Sequence, residues 1–227
     1  MVLSTERTRK WRTKQKAAGL CTRCNNHLNN HKPGCLKLHN QKNNLLYKQR
    51  REIVIDLYGG NCACCQEHHK MFLTIGHIQN NGNIERKRLS SRSFYAKLAK
   101  AKTKLPDYQL LCWNCNCSKN ALGECFHTHQ FDKPISPQTK WYRRLKTEIL
   151  KHYGGACACC GEDELWFLTI DHPNGGGRAE RQRVGTGSRF YRWLKSQGLP
   201  SEYRVLCFNC NCAIGMYGQC PHDRLID

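Results

Sequence analysis

The strongest constraint on this chain is an internal repeat. Residues 58–127 and 153–222 match at a constant offset of 95 at both ends: YGGNCACC with YGGACACC, FLTIGH with FLTIDH, LLCWNCNC with VLCFNCNC, GECFH with GQCPH. In the middle SFYAKL pairs with RFYRWL at an offset of 96, so the basic loop varies slightly in length. Self-similarity of this kind predicts two copies of one architecture. An amphipathic helical stretch precedes each copy, around Leu45–Leu57 and around Trp141–Tyr153, and Gly-Gly ends it.

Each copy contains two distant Cys-x2-Cys pairs, Cys62/Cys65 with Cys112/Cys115 and Cys157/Cys160 with Cys207/Cys210. That spacing predicts a four-thiolate structural Zn²⁺ site in each. A unit of roughly 85 residues buries a limited core, so metal binding is expected to supply folding free energy. Further potential ligands remain: Cys64, Cys117, Cys125 and His127 in the first copy, Cys159, Cys212, Cys220 and His222 in the second. They read either as one more zinc site per copy or as buried, reduced thiols that pack as small hydrophobes. The chain has 17 cysteines and no apolar signal-like core after Met1-Val2-Leu3. Metal thiolates in a reducing intracellular compartment, cytoplasm or nucleoid, are therefore expected rather than a secreted disulfide framework.

Ahead of the repeats, residues 5–18 predict a helix with Ser4 as N-cap and Gly19 as stop. It carries Arg9, Lys10 and Arg12 and reads as a solvated tail or as a phosphate-tracking helix, with Trp11 favouring nucleic-acid contact because an aromatic among cations can stack on a base or sugar. Cys21, Cys24, Cys35 and His39 then form a knuckle of three thiolates and one imidazole, with His27 and His31 as alternatives for the fourth ligand. The expected organisation is a basic helix and knuckle over 1–40, one repeat over 41–129, a Pro-containing linker over 130–139, and the second repeat over 140–227.

Lys and Arg number 37 against 17 Asp and Glu, a formal charge of +20. Such a field favours a polyanion, because phosphate contacts release condensed counterions. A mean hydropathy of −0.71, without a long apolar run, argues against a membrane partner.

In the second copy an apolar, strand-like run from Trp166 to Ile170 ends at Asp171-His172, and Asn211 directly follows the last thiolate of Leu-Cys-x-x-Cys-Asn. This layout resembles the HNH (ββα-metal) endonucleases, in the zinc-containing arrangement of endonuclease VII. The resemblance implies a small α+β fold and a Mg²⁺- or Mn²⁺-dependent phosphodiester hydrolase. Asp171 and Asn211 are then the cation ligands and His172 the general base. It also implies nucleic acid as partner, double-stranded or branched DNA, nicked by one centre per chain unless the chain forms a homodimer. The family's middle Asn has two candidates here, Asn174 and Asn209.

Chemically the assignment is coherent. Imidazole is neutral and basic near physiological pH, and a hard cation takes a carboxylate and an amide oxygen. Arg178, Arg181 and Arg183 could clamp a phosphate or serve as generic backbone contacts. The intervening segment reads as a Gly/Arg-rich loop, followed by a helix over Ser188–Gln197, a second strand, and a short helix beginning near Asn211.

The first copy departs at one place: Gly76 replaces the acid, while His77 and Asn116 remain. It reads as a degenerate, nucleic-acid-binding copy, unless a glutamate such as Glu85 supplies the missing ligand. The rival for the whole chain is a non-catalytic zinc protein that binds nucleic acid or joins an assembly.

Overall fold

The computed structural model describes residues 3–21, 35–128 and 136–224, and the chain divides into two compact units, residues 1–52 and 53–227. In the first unit helix α1 spans Leu3–Ala17, so Ser4 lies inside its first turn rather than capping it. Gly19 ends it with φ +66°, a conformation that costs glycine little. Arg9, Lys10 and Arg12 are exposed on this helix. Helix α2, Cys35–Leu57, starts well before the expected Leu45. Nothing between Pro33-Gly34 and Gly59-Gly60 breaks a helix, so the chain stays helical throughout. Of the predicted knuckle, Cys24 and the side chain of Cys35 lie outside the described residues; Cys21 is buried and His39 half-buried.

The second unit mixes helices with two small antiparallel sheets, an α+β architecture. In the first repeat the order is β1 (Leu73–His77), α3 (Gly82–Arg88), α4 (Ser91–Ala101), β2 (Tyr108–Cys112) and α5 (Trp113–Leu122). The second opens with α6 (Pro137–His152) and runs β3 (Leu168–Asp171), α7 (Gly177–Val184), α8 (Ser188–Ser196), β4 (Arg204–Cys207), α9 (Phe208–Tyr217). Leu73 lies opposite Cys112 and His77 opposite Tyr108; Leu168 lies opposite Cys207 and Asp171 opposite Arg204. The segment expected as a Gly/Arg-rich loop is helical in both copies. Between Gly177 and Gly185 the sequence RAERQRV holds no glycine or proline, and only its flanks break the helix. The last helix starts at Phe208, earlier than expected, because the Cys207 sulfur caps it by accepting from the Cys210 N–H at 3.4 Å. Asn211 therefore sits in the first turn.

The metal-ligand turns are tied to the sheets by backbone. Ala63 N–H donates to the Leu110 carbonyl at 2.8 Å, and Ala158 N–H to that of Val205 at 2.9 Å. Leu168, Ile170, Val205 and Leu206 from the strands meet Ile149, Leu150 and Leu194 from the helices in one buried cluster. Each such side chain contributes about 1.5–3 kcal/mol on burial. Phe72, from the first repeat, is buried in the same cluster.

The two repeats pair reciprocally. Asn114 N–H donates to Asn209 Oδ1 at 3.0 Å, and Asn209 N–H to Asn114 Oδ1 at 2.9 Å. The His222 ring lies 5.0 Å from Phe72, and the His127 ring 5.1 Å from Phe167. Residue i meeting j while j meets i is the mark of an isologous contact, here made within one chain. No helix among the described residues is long and apolar enough to cross a membrane.

Candidate functional site

Strand β3 carries Asp171 at its end, opposite Arg204 on β4, and His172 follows directly. The Asp171 side chain is 13% exposed, and its Oδ2 accepts from Arg204 Nε at 2.8 Å. That leaves Oδ1 outside the ion pair. The placement of Asn211 relative to the acid is clearest in the first repeat, where the acid is missing. A Cβ built on Gly76 would lie 2.7 Å from Oδ1 of Asn116, the counterpart of Asn211. Strand end and first helical turn thus converge on one point.

His172 sits in an aromatic box. Phe190 stacks on it at 5.6 Å and Tyr203 meets it edge-on at 5.2 Å. Its Nε2 lies 2.5 Å from Glu180 Oε2 on α7, and the other oxygen of Glu180 accepts from the Tyr203 hydroxyl at 2.9 Å. An ionised carboxylate only accepts, so in the neutral imidazole Nε2 carries the proton and Nδ1 the lone pair. Against Nδ1 lies Gly177, where a Cβ would come within 2.8 Å. Glycine at that position keeps the unprotonated nitrogen clear.

The chain is matched by no family model, curated protein or solved structure.

Glu180, Tyr203 and Arg204 were not among the expected site residues. Glu180 had one signal in sequence, its recurrence as Glu85 in the other copy. There, His77 Nε2 lies 2.7 Å from Glu85 Oε2, and Glu85 also accepts from the Tyr108 hydroxyl and from Lys97. Burial raises the proton affinity of Glu85, but the bonds from Lys97, His77 and Tyr108 outweigh it, and its carboxyl stays below the usual range. Glu85 is therefore the partner of His77 and not a substitute for the missing acid. Asn209 is likewise committed, to the contact with Asn114; Asn174 is exposed.

The basic residues are dispersed. Arg178 and Arg181 lie exposed on α7. Arg183 is engaged, with its guanidinium 4.8 Å from the Trp193 ring and 3.5 Å from Glu180. An additional cationic face, unremarked in sequence, runs along α6 with exposed Lys140, Arg143, Arg144 and Lys151.

Among the described residues, four Cys/His groups have their ligand atoms within 4.8 Å of one another and could hold metal ions. Cys62, Cys65, Cys112 and Cys115 form one, and Cys157, Cys160, Cys207 and Cys210 its counterpart, as the spacing predicts. The others are Cys64, Cys115, Cys125 with His127, and Cys159, Cys210, Cys220 with His222. Cys117 and Cys212, grouped with these in sequence, stand apart. Residues two apart on a helix face different ways, so Cys117 cannot follow Cys115 into the cluster. Within the first group, bonds from Cys112 drive the Cys62 thiol far down and push Cys115 far up. Thiols this close cannot all ionise without a cation among them.

Proposed function

We propose that this chain is a metal-dependent endonuclease of the HNH type. It hydrolyses phosphodiester bonds in nucleic acid, DNA by resemblance, from the Asp171–His172 site. The observation that carries the reading is the order of parts: a strand ending in Asp-His, its antiparallel partner, and a helix presenting Asn211 in its first turn. Asp171 Oδ1 and the Asn211 amide oxygen suit Mg²⁺ or Mn²⁺, which takes hard oxygen ligands. Bound there, the cation would polarise the phosphate and ease departure of the 3′-oxygen. His172, held by Glu180 with Nδ1 unprotonated, takes the proton of the attacking water. Gly177 leaves a methyl-sized space at hydrogen-bonding distance from that nitrogen. Arg204, 40% exposed and already at the carboxylate, stands where it can meet a phosphate oxygen.

One observation favours the rival reading, a non-catalytic nucleic-acid-binding zinc protein. The histidine, glutamate and tyrosine keep the same contacts in the first repeat, where no acid accompanies them. That arrangement is compatible with a purely structural role.

Relaxation of supercoiled plasmid separates the two. The parent chain should nick DNA with Mg²⁺ and not with EDTA, and Asp171→Asn should abolish nicking while leaving zinc content and DNA retention intact. Retention without Mg²⁺-dependent nicking in the parent would establish the rival.

A further inference from the structure

We infer that each repeat holds a dinuclear zinc centre whose two ions share one thiolate, Cys115 in the first repeat and Cys210 in the second. The inference rests on the metal-ligand geometry alone and is independent of nuclease activity.

The edge lengths of the groups match tetrahedral shells. With Zn–S near 2.3 Å and Zn–N near 2.0 Å, a tetrahedral shell has S···S edges of about 3.8 Å and S···N edges of about 3.5 Å. Cys65–Cys112 is 3.7 Å, Cys65–Cys115 is 3.6 Å and Cys160–Cys207 is 3.8 Å. In the second group His127 Nδ1 lies 3.4 Å from Cys115, 3.5 Å from Cys125 and 3.7 Å from Cys64. His222 Nδ1 lies 3.3 Å from Cys210 and 3.4 Å from Cys220. A ring nitrogen has either one proton or one lone pair, so it cannot make three hydrogen bonds to three sulfurs at once. It can share a tetrahedron with them.

The ligand inventory requires the same sharing. Two independent shells need eight ligands, and each repeat brings seven together, because Cys115 and Cys210 belong to both of their groups. The eighth candidate ligand, Cys117 or Cys212, is turned away by the helix. The second shell therefore closes only if the first lends it a sulfur, and a thiolate has lone pairs enough for two ions. Sharing also lowers the charge. Two Zn²⁺ with six thiolates and a neutral imidazole leave about −2, against about −3 for two separate shells with seven thiolates between them.

The second ion would fasten the turn at 125–128 to the knuckle at Cys64 and to the start of α5. It would also hold the His127 ring against Phe167 of the other repeat, and His222 against Phe72. In this way metal occupancy in one repeat supports the pairing of both.

The test is cadmium-113 NMR on the full chain reconstituted with that isotope. A shared sulfur couples its two metals, so resonances from the repeats should be split and should correlate in pairs. Sharp, mutually uncoupled resonances would overturn the bridge. Independently, Cys125→Ser with His127→Ala should lower the zinc content of the full chain by one equivalent, and Cys220→Ser with His222→Ala by another. Any N-terminal zinc cancels in these differences. Unchanged content would overturn the second shell, and should a variant unfold, the spectrum of the parent chain decides.

Discussion

Among the substitutions around its histidine, four set the first repeat apart from the second in charge and in the turn that follows. Gly76 stands for Asp171, Gln109 for Arg204, Asn80 for Gly175 and Lys119 for Ile214. The first two remove an ion pair. The other two tie down a turn. Asn80, at φ +54°, donates to the carbonyls of Lys119 and Gly123, and the Lys119 ammonium donates to those of His77 and Ile78 at 2.9 and 2.7 Å. The second repeat follows its histidine with Gly175 and Gly176, both at positive φ. Histidine, glutamate and tyrosine are common to both and so belong to the fold. What the second repeat adds is charge beside that frame and a turn without side-chain fastening.

The comparison breaks most easily at the histidines. Under the proposed activity His172→Ala should lower the nicking rate by roughly 10²–10⁴-fold, the usual contribution of a general base. His77→Ala should leave it unchanged. Gly76→Asp alone should not create a second centre, because Gln109 gives the new carboxylate no cationic partner and Asn80 and Lys119 fasten the turn after His77. Equal losses from the two histidine variants would show that the first repeat also takes part in catalysis.

A smaller effect is expected one residue back. Glu180→Gln keeps a group that can accept from His172 but removes its charge. Outer partners of working histidines typically cost roughly 10–100-fold in activity when changed. The loss should appear in kcat with KM little altered, since Glu180 faces the imidazole and not the phosphate. Glu85→Gln should leave kcat untouched. A Glu180→Gln chain as fast as the parent would reduce the frame to a structural role in both repeats.

How much of this could be read in the chain varies with the physics involved. The Cys-x2-Cys pairs and the 95-residue offset marked the metal groups, because coordination demands particular residues at particular spacings. Glu180 escaped notice because a carboxylate eight residues from its histidine carries no local signature; only α7 brings it back. Arg204 was hidden by register, since it faces Asp171 solely through the pairing of β3 with β4. Asn209 reads in sequence as a candidate for the middle Asn of the resembled pattern, and the contact between repeats, invisible to any pattern within one repeat, claims it together with Asn114.

That contact predicts symmetry in stability. Asn114→Ala and Asn209→Ala each strip an acceptor from a buried N–H, a loss of about 1–3 kcal/mol. Urea unfolding at fixed zinc should give similar values for the two. A clear difference would mean that the repeats lean on one another unequally.

The smallest expected effect separates the helices that precede the repeats. Arg51 on α2 and Lys146 on α6 occupy equivalent positions, and both are buried. The guanidinium keeps its charge at any working pH. The ammonium of Lys146, 5.5 Å from the Trp166 ring, is pushed down from 10.5 to about 8, chiefly by burial. Between those two values the unfolded chain holds a proton that the native state has released, so this residue's contribution to stability rises with pH across the window and is flat below it. At pH 7 the desolvated charge costs on the order of 3 kcal/mol, and contact with the aromatic face returns up to about 2 kcal/mol. Lys146→Met should therefore stabilise the chain at pH 7 by on the order of 1 kcal/mol, with the advantage shrinking by about pH 9.5. Urea titrations of parent and variant at the two pH values measure it. A variant less stable than the parent at pH 7 would show that the cation's contacts with the Trp166 and Phe208 rings outweigh its desolvation.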